Sequence, residues 1–181
     1  MILRTAGILG LSLLLAGCAG TASRIGGVQY ESYYDPMLVR YAARSGEIPV
    51  VVRGSPFAAG GDPTAIVAVM RPPAWLADGR FVLSGKAEAN AYYRVVLLFG
   101  TIPGGRSAEA ACGYSEIAEP TINGSDHLQA AFCAGSRPVT SLIADGPTVR
   151  NAEDPAFRDF LGQVVTVLLP ATNPRRGASG P

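Results

Sequence analysis

The clearest pattern along the 181-residue chain lies near its C-terminal end, where Phe157, Phe160, Leu161, Val164, Val165 and Leu168 recur at i, i+3, i+4, i+7, i+8 and i+11. That spacing is one face of a 3.6-residue period, with Arg158, Asp159 and Gln163 elsewhere on the wheel, and it predicts an amphipathic helix docked on a core. Asp154-Pro155 opens it. Aspartate caps the first free N–H groups, and proline fits the first helical position, where its missing N–H costs nothing. Two further pairs of this kind, Asp35-Pro36 and Asp62-Pro63, predict short helices ending at Gly46 and before Pro72.

Between these helices the pattern changes to short runs of β-formers bounded by Gly, Pro or Asp. Residues 48–53, 80–84, 92–101, 128–133 and 139–144 are the predicted strands. Val95 to Phe99 is apolar at consecutive positions, which suits a central strand covered on both faces. Ala134-Gly135-Ser136-Arg137 links two of the runs and predicts a hairpin. The expected fold is α+β: a single domain with a mostly antiparallel sheet, flanked by about three helices, the last of them packed on the sheet.

The first residues follow a different logic. Arg4 precedes an apolar stretch from Ala6 to Ala16, with small residues directly after it. Charge, apolar core and small residues in this order make a secretory signal. The stretch is about ten residues long, roughly half of what a membrane-crossing helix needs. It closes on Leu15-Ala16-Gly17-Cys18, which resembles the lipobox of bacterial lipoprotein precursors. The resemblance covers residues 1–18 and implies cleavage before Cys18, a diacylglyceryl group on its sulfur and acylation of the new amino terminus, palmitate being a common chain. Several acyl chains, each burying about 0.8 kcal/mol per methylene, anchor a protein stably without a further apolar segment. Ala19 stands where an aspartate would favour retention at the inner membrane, so the implied address is the outer membrane, facing the periplasm.

The resulting division is a signal peptide at 1–17, a lipidated flexible tether at 18–27, one domain at 28–169 and a disordered tail at 170–181, the tether being set apart by its small residues and the tail by its Pro, Gly, Ser and Arg content. Removing residues 1–17 leaves 164, enough for one domain with a real core. It also removes Arg4, one of 15 basic residues, against 14 acidic ones, so the mature side chains balance and no basic footprint for nucleic acid remains. With Cys18 assigned to lipid, Cys112 and Cys133 are the remaining thiols. In an oxidising periplasm they are expected to pair, closing a loop of about twenty residues for roughly 3 kcal/mol on the chain-entropy account. Two buried thiols or metal ligands are the alternatives.

Candidate chemistry is sparse. His127 is the single histidine, so a proton shuttle working near neutral pH on imidazole has to use it. Ser125 and Asp126 beside it are of the right types for a hydrolytic triad, but neighbours in a strand point to opposite faces, and no Gly-x-Ser-x-Gly elbow occurs. The expected role is a turn residue leading into a strand, with no catalytic residue assigned. Cys112, His127, Cys133 and Asp126 lack the close ligand pairs of zinc sites, and the Gly-rich stretches lack a P-loop ending. No metal and no cofactor are expected. Tyr30, Tyr33 and Tyr34, with Arg53 and Phe57, form the candidate interaction surface, because tyrosine combines an apolar ring with a polar tip. The expectation is therefore a membrane-anchored, non-catalytic binding or structural module with an envelope protein or peptidoglycan as partner. A periplasmic hydrolase using His127 and a small-ligand carrier are the alternatives.

Overall fold

The computed structural model describes residues 23–84, 91–100, 111–113 and 126–176. Each Asp-Pro pair starts a helix by the predicted device. Asp35, Asp62 and Asp154 accept hydrogen bonds from the backbone N–H of Met37, Thr64 and Ala156, and the helices run α1 Pro36–Ala42, α2 Pro63–Val69 and α3 Pro155–Leu168. A single 3-10 turn, Ala74–Leu76, follows α2.

Six strands form one sheet: β1 Arg24–Tyr30, β2 Glu47–Arg53, β3 Arg80–Leu83, β4 Tyr93–Phe99, β5 His127–Ala134 and β6 Arg137–Asp145, in spatial order β1-β6-β5-β4-β2-β3. β4, β5, β6 and β1 are joined antiparallel, whereas β2 runs parallel to both β3 and β4. The parallel β2–β3 pair follows from its connection, since strands pointing the same way need a crossover and α2 supplies it. The β5–β6 hairpin turns at Gly135, whose φ of 62° lies in the left-handed region that glycine enters without a Cβ clash. The chain is a single α+β domain with α3 packed on the sheet.

β4 shows how the core is divided. Val95, Leu97 and Phe99 point to the face covered by the helices, where they join Val39 of α1, Ile66 of α2 and Phe157, Phe160 and Leu161 of α3 in one buried cluster. Phe157 sits at its centre, with ring centroids 5.4 Å from Phe57 and 6.3 Å from Phe99. Val96 and Leu98 point the other way and are buried with Val51, Ala131, Ala111 and the two cysteines. Both faces of this strand are thus covered, as its unbroken apolar run requires. Cys112 and Cys133 are bonded to each other, their Cα atoms 5.6 Å apart, so the disulfide pins residues 111–113 to β5.

Two segment boundaries differ from the sequence expectation. Residues 24–27, assigned to the tether, begin β1 and pair with β6 from Arg24 opposite Asp145 onward. The strand is an edge whose side chains are mostly exposed, so it carries no apolar alternation to announce it. Residues 170–176, assigned to the disordered tail, pack on the domain. Asn173 is buried and its amide donates to the carbonyl of Tyr34 at 3.1 Å and reaches those of Glu31 and Ser32. The carbonyls around the end of α3, which a helix leaves without internal donors, are met by side chains from three parts of the chain. Tyr30 donates to Val167, Thr140 to Leu168, Trp75 to Leu169 and Tyr34 to Pro170.

Candidate functional site

The two ends of the sheet differ in chemistry. Tyr30, Tyr92 and Tyr93 lie at one end, because β1 finishes where β2 and β4 start, and Tyr33, Tyr34 and Tyr41 follow β1 through the loop and α1. These tyrosines fall into two groups. The hydroxyls of Tyr30, Tyr33 and Tyr34 are spent on backbone carbonyls, those of Val167, Pro138 and Pro170. Burial pushes all three phenols above their ordinary pKa, Tyr34 furthest. Tyr34 is fully buried, and Tyr33, under the Arg137 guanidinium 5.4 Å from its ring, is the one of the three that meets solvent widely.

Tyr41, Tyr92 and Tyr93 form the second group. They line a cleft of about 650 Å³ together with Arg44, Ser45 and Glu47, a volume within the range of small-ligand sites. Tyr93 stands edge-on to both neighbours, 5.7 Å from Tyr41 and 4.8 Å from Tyr92, and stacks against buried Phe132 at 6.1 Å. Tyr41 and Tyr92 remain 56% and 63% exposed. Among the described residues no protein atom accepts a hydrogen bond from these three hydroxyls. The rim is polar: the Arg44 guanidinium lies 4.3 Å over the Tyr41 ring and donates to the Tyr41 carbonyl, and Glu47 pairs with Arg80. Aromatic faces are therefore offered beside the Arg44 cation, a carboxylate already paired with Arg80 and three hydroxyls.

The opposite end of the sheet carries His127. Antiparallel register sets it beside Asp145 of β6, and Nδ1 meets the Asp145 carboxylate, both side chains being a little over two-fifths exposed. Arg24 occupies the next position across, on β1. A carboxylate on Nδ1 fixes the ring and directs proton transfer through Nε2, which is the orienting half of a hydrolytic triad. Ser125 lies outside the described residues.

Of the remaining predicted residues, Phe57 is buried against Phe157 and so leaves the candidate interaction surface for the core, as does Tyr34. The cause is the tight turn after β2, in which the Ser55 hydroxyl accepts from the Phe57 N–H and folds the ring inward. Arg53 is half-buried at the end of β2, far along the strand from the cleft. Cys18 lies outside the described residues. Among those described, no helix is long and apolar enough to cross a membrane and no group of three His, Cys, Asp or Glu residues can hold a metal ion. Sequence reasoning missed Tyr41, Tyr92, Tyr93 and Asp145. No family model matches the chain, and no curated protein or solved structure matches it.

Proposed function

We propose that the chain is a bacterial envelope lipoprotein, held by acyl chains on Cys18 and facing the periplasm from the outer membrane, whose domain is a non-catalytic binding module for an envelope protein or peptidoglycan. The observation that carries this reading is Leu15-Ala16-Gly17-Cys18 closing a short apolar segment after Arg4. Two features of the domain support it: the Cys112–Cys133 disulfide, which suits an oxidising compartment, and a tyrosine-lined cleft open to solvent. Mass spectrometry of the mature protein tests it. The expected polypeptide begins at Cys18 and carries acyl mass on it, and an unmodified chain starting elsewhere overturns the reading.

Asp145 beside His127 favours a second reading, a periplasmic hydrolase built on that pair. It requires that the wild-type protein turn over ester, amide or glycoside substrates and that His127→Ala and Asp145→Asn each lower the rate at least a hundredfold. Absence of wild-type turnover across such a panel removes it.

A further inference from the structure

We propose that the cleft of Tyr41, Tyr92 and Tyr93 takes a saccharide chain, specifically a glycan strand of the cell wall, which rests on the proposed anchoring and names the ligand of that binding module. The first argument is the split among the tyrosines. Three of the six described bury or hydrogen-bond their hydroxyls for the fold. The other three converge from α1 and the start of β4 on one cleft, where their hydroxyls have no acceptor among the described residues and two rings are more than half exposed. Packing does not require that exposure.

The second argument is chemical match. A sugar ring presents a face of C–H groups with partial positive charge, and the face of a tyrosine ring is the negative part of its quadrupole. Its hydroxyls both donate and accept, so they need mixed partners. The Arg44 guanidinium donates, the Glu47 carboxylate accepts and the tyrosine hydroxyls do both. Glu47 is already paired with Arg80, so Arg44 is the single unneutralised charge among the lining groups, and the ligand is read by ring faces and hydroxyls more than by charge. The platform is also rigid, because Tyr93 is wedged between Tyr41, Tyr92 and buried Phe132, so little ordering entropy is lost when a ligand stacks.

The third argument is direction. β1 starts at Arg24, beside Asp145 and His127, and the cleft lies at the opposite end of the sheet. Seven strand residues at about 3.3 Å each put roughly 20 Å between those ends. The six steps from Cys18 to Arg24 span at most about 21 Å, so the Arg24 end stays within that distance of the bilayer while the cleft can stand about twice as far out. A polymer lying beyond the membrane is thereby within reach of the cleft.

The test uses the mature lipidated protein in detergent micelles, titrated calorimetrically with two separate probes: wall glycan strands stripped of their stem peptides, and the released stem peptides. Saturable binding of the glycan is expected, weakened at least tenfold in Tyr41→Ala/Tyr92→Ala and several-fold in Arg44→Gln, while Tyr41→Phe keeps most of it. The emission of Trp75, hydrogen-bonded to Leu169 outside the cleft, checks that each variant is folded; Arg44→Gln decides if the double variant is not. No glycan binding, equal binding by the folded variants, or saturation by stem peptides alone overturns the saccharide assignment. Each of these leaves the anchoring reading standing, since acyl mass on Cys18 decides that separately.

Discussion

Tyr34 ties the loop after β1 to the chain leaving α3 through one hydrogen bond to the Pro170 carbonyl, with its ring wholly buried. Removing the hydroxyl leaves that carbonyl short of a donor, so Tyr34→Phe is expected to lower unfolding free energy by about 1 kcal/mol in urea titrations. The same contact has a pH signature. Burial raises the Tyr34 pKa above the ordinary 10.0, so the unfolded chain loses this proton first. The stabilisation is full below pH 10 and is lost as pH rises through the folded value. Wild-type stability is expected to fall above pH 10, and more steeply than that of Tyr34→Phe; equal slopes would show that Tyr34 does not couple to folding. At this scale the sequence was partly legible. Tyrosines 30, 33 and 34 stood out by clustering along the chain, yet all three spend their hydroxyls on the fold. The cleft tyrosines stayed hidden because Tyr41 and Tyr92 are fifty-one positions apart and meet only once α1 packs beside the start of β4. Asp145 was hidden in the same way, by a register that no single strand reveals.

Among elements, the Asp-Pro helices were the most legible because cap and first turn are local chemistry, complete within three residues. The runs that became β2 through β6 were legible from their apolar content. β1 was not, since an edge strand exposed on both sides need not alternate. The disulfide acts at this scale, holding residues 111–113 on the sheet face opposite the helices. Arg94 reinforces it. This buried guanidinium donates to the Cys112 carbonyl at 2.7 Å and to the Ala91 carbonyl at 2.9 Å, and so connects the disulfide segment to the residue preceding Tyr92. Burial lowers its pKa, since the charged form is the one that loses hydration. Cys112→Ser/Cys133→Ser is expected to lose roughly 3 kcal/mol of unfolding free energy. Reducing agent should bring the wild type to the same midpoint in urea and leave the double variant unchanged. A wild type indifferent to reductant would show that the bridge contributes nothing.

For the whole molecule, the proposed anchor and the fold answer different questions. The fold follows from patterns spread along the whole domain, the proposed address from residues 1–18 alone. Cys18→Ala is accordingly expected to shift the protein from the membrane fraction to the soluble fraction on cell fractionation, with its thermal midpoint unchanged. Persistence in the membrane fraction would mean that something other than acyl chains holds it. The C-terminal boundary shows the limit of composition as a guide: Pro170 to Arg176 reads as tail, yet Asn173 alone reaches three carbonyls of the loop before α1.

β1 is both an edge strand and the first element among the described residues, and its length runs between the two ends of the sheet. If the far end grips something fixed, tension between bilayer and wall travels lengthwise along this strand, and its five register pairs with β6 are loaded in shear, together, instead of being peeled apart one by one. Resistance to such a pull is governed by the rate of forced unfolding more than by equilibrium stability. An inconspicuous polar strand would then serve as the strap that carries mechanical load.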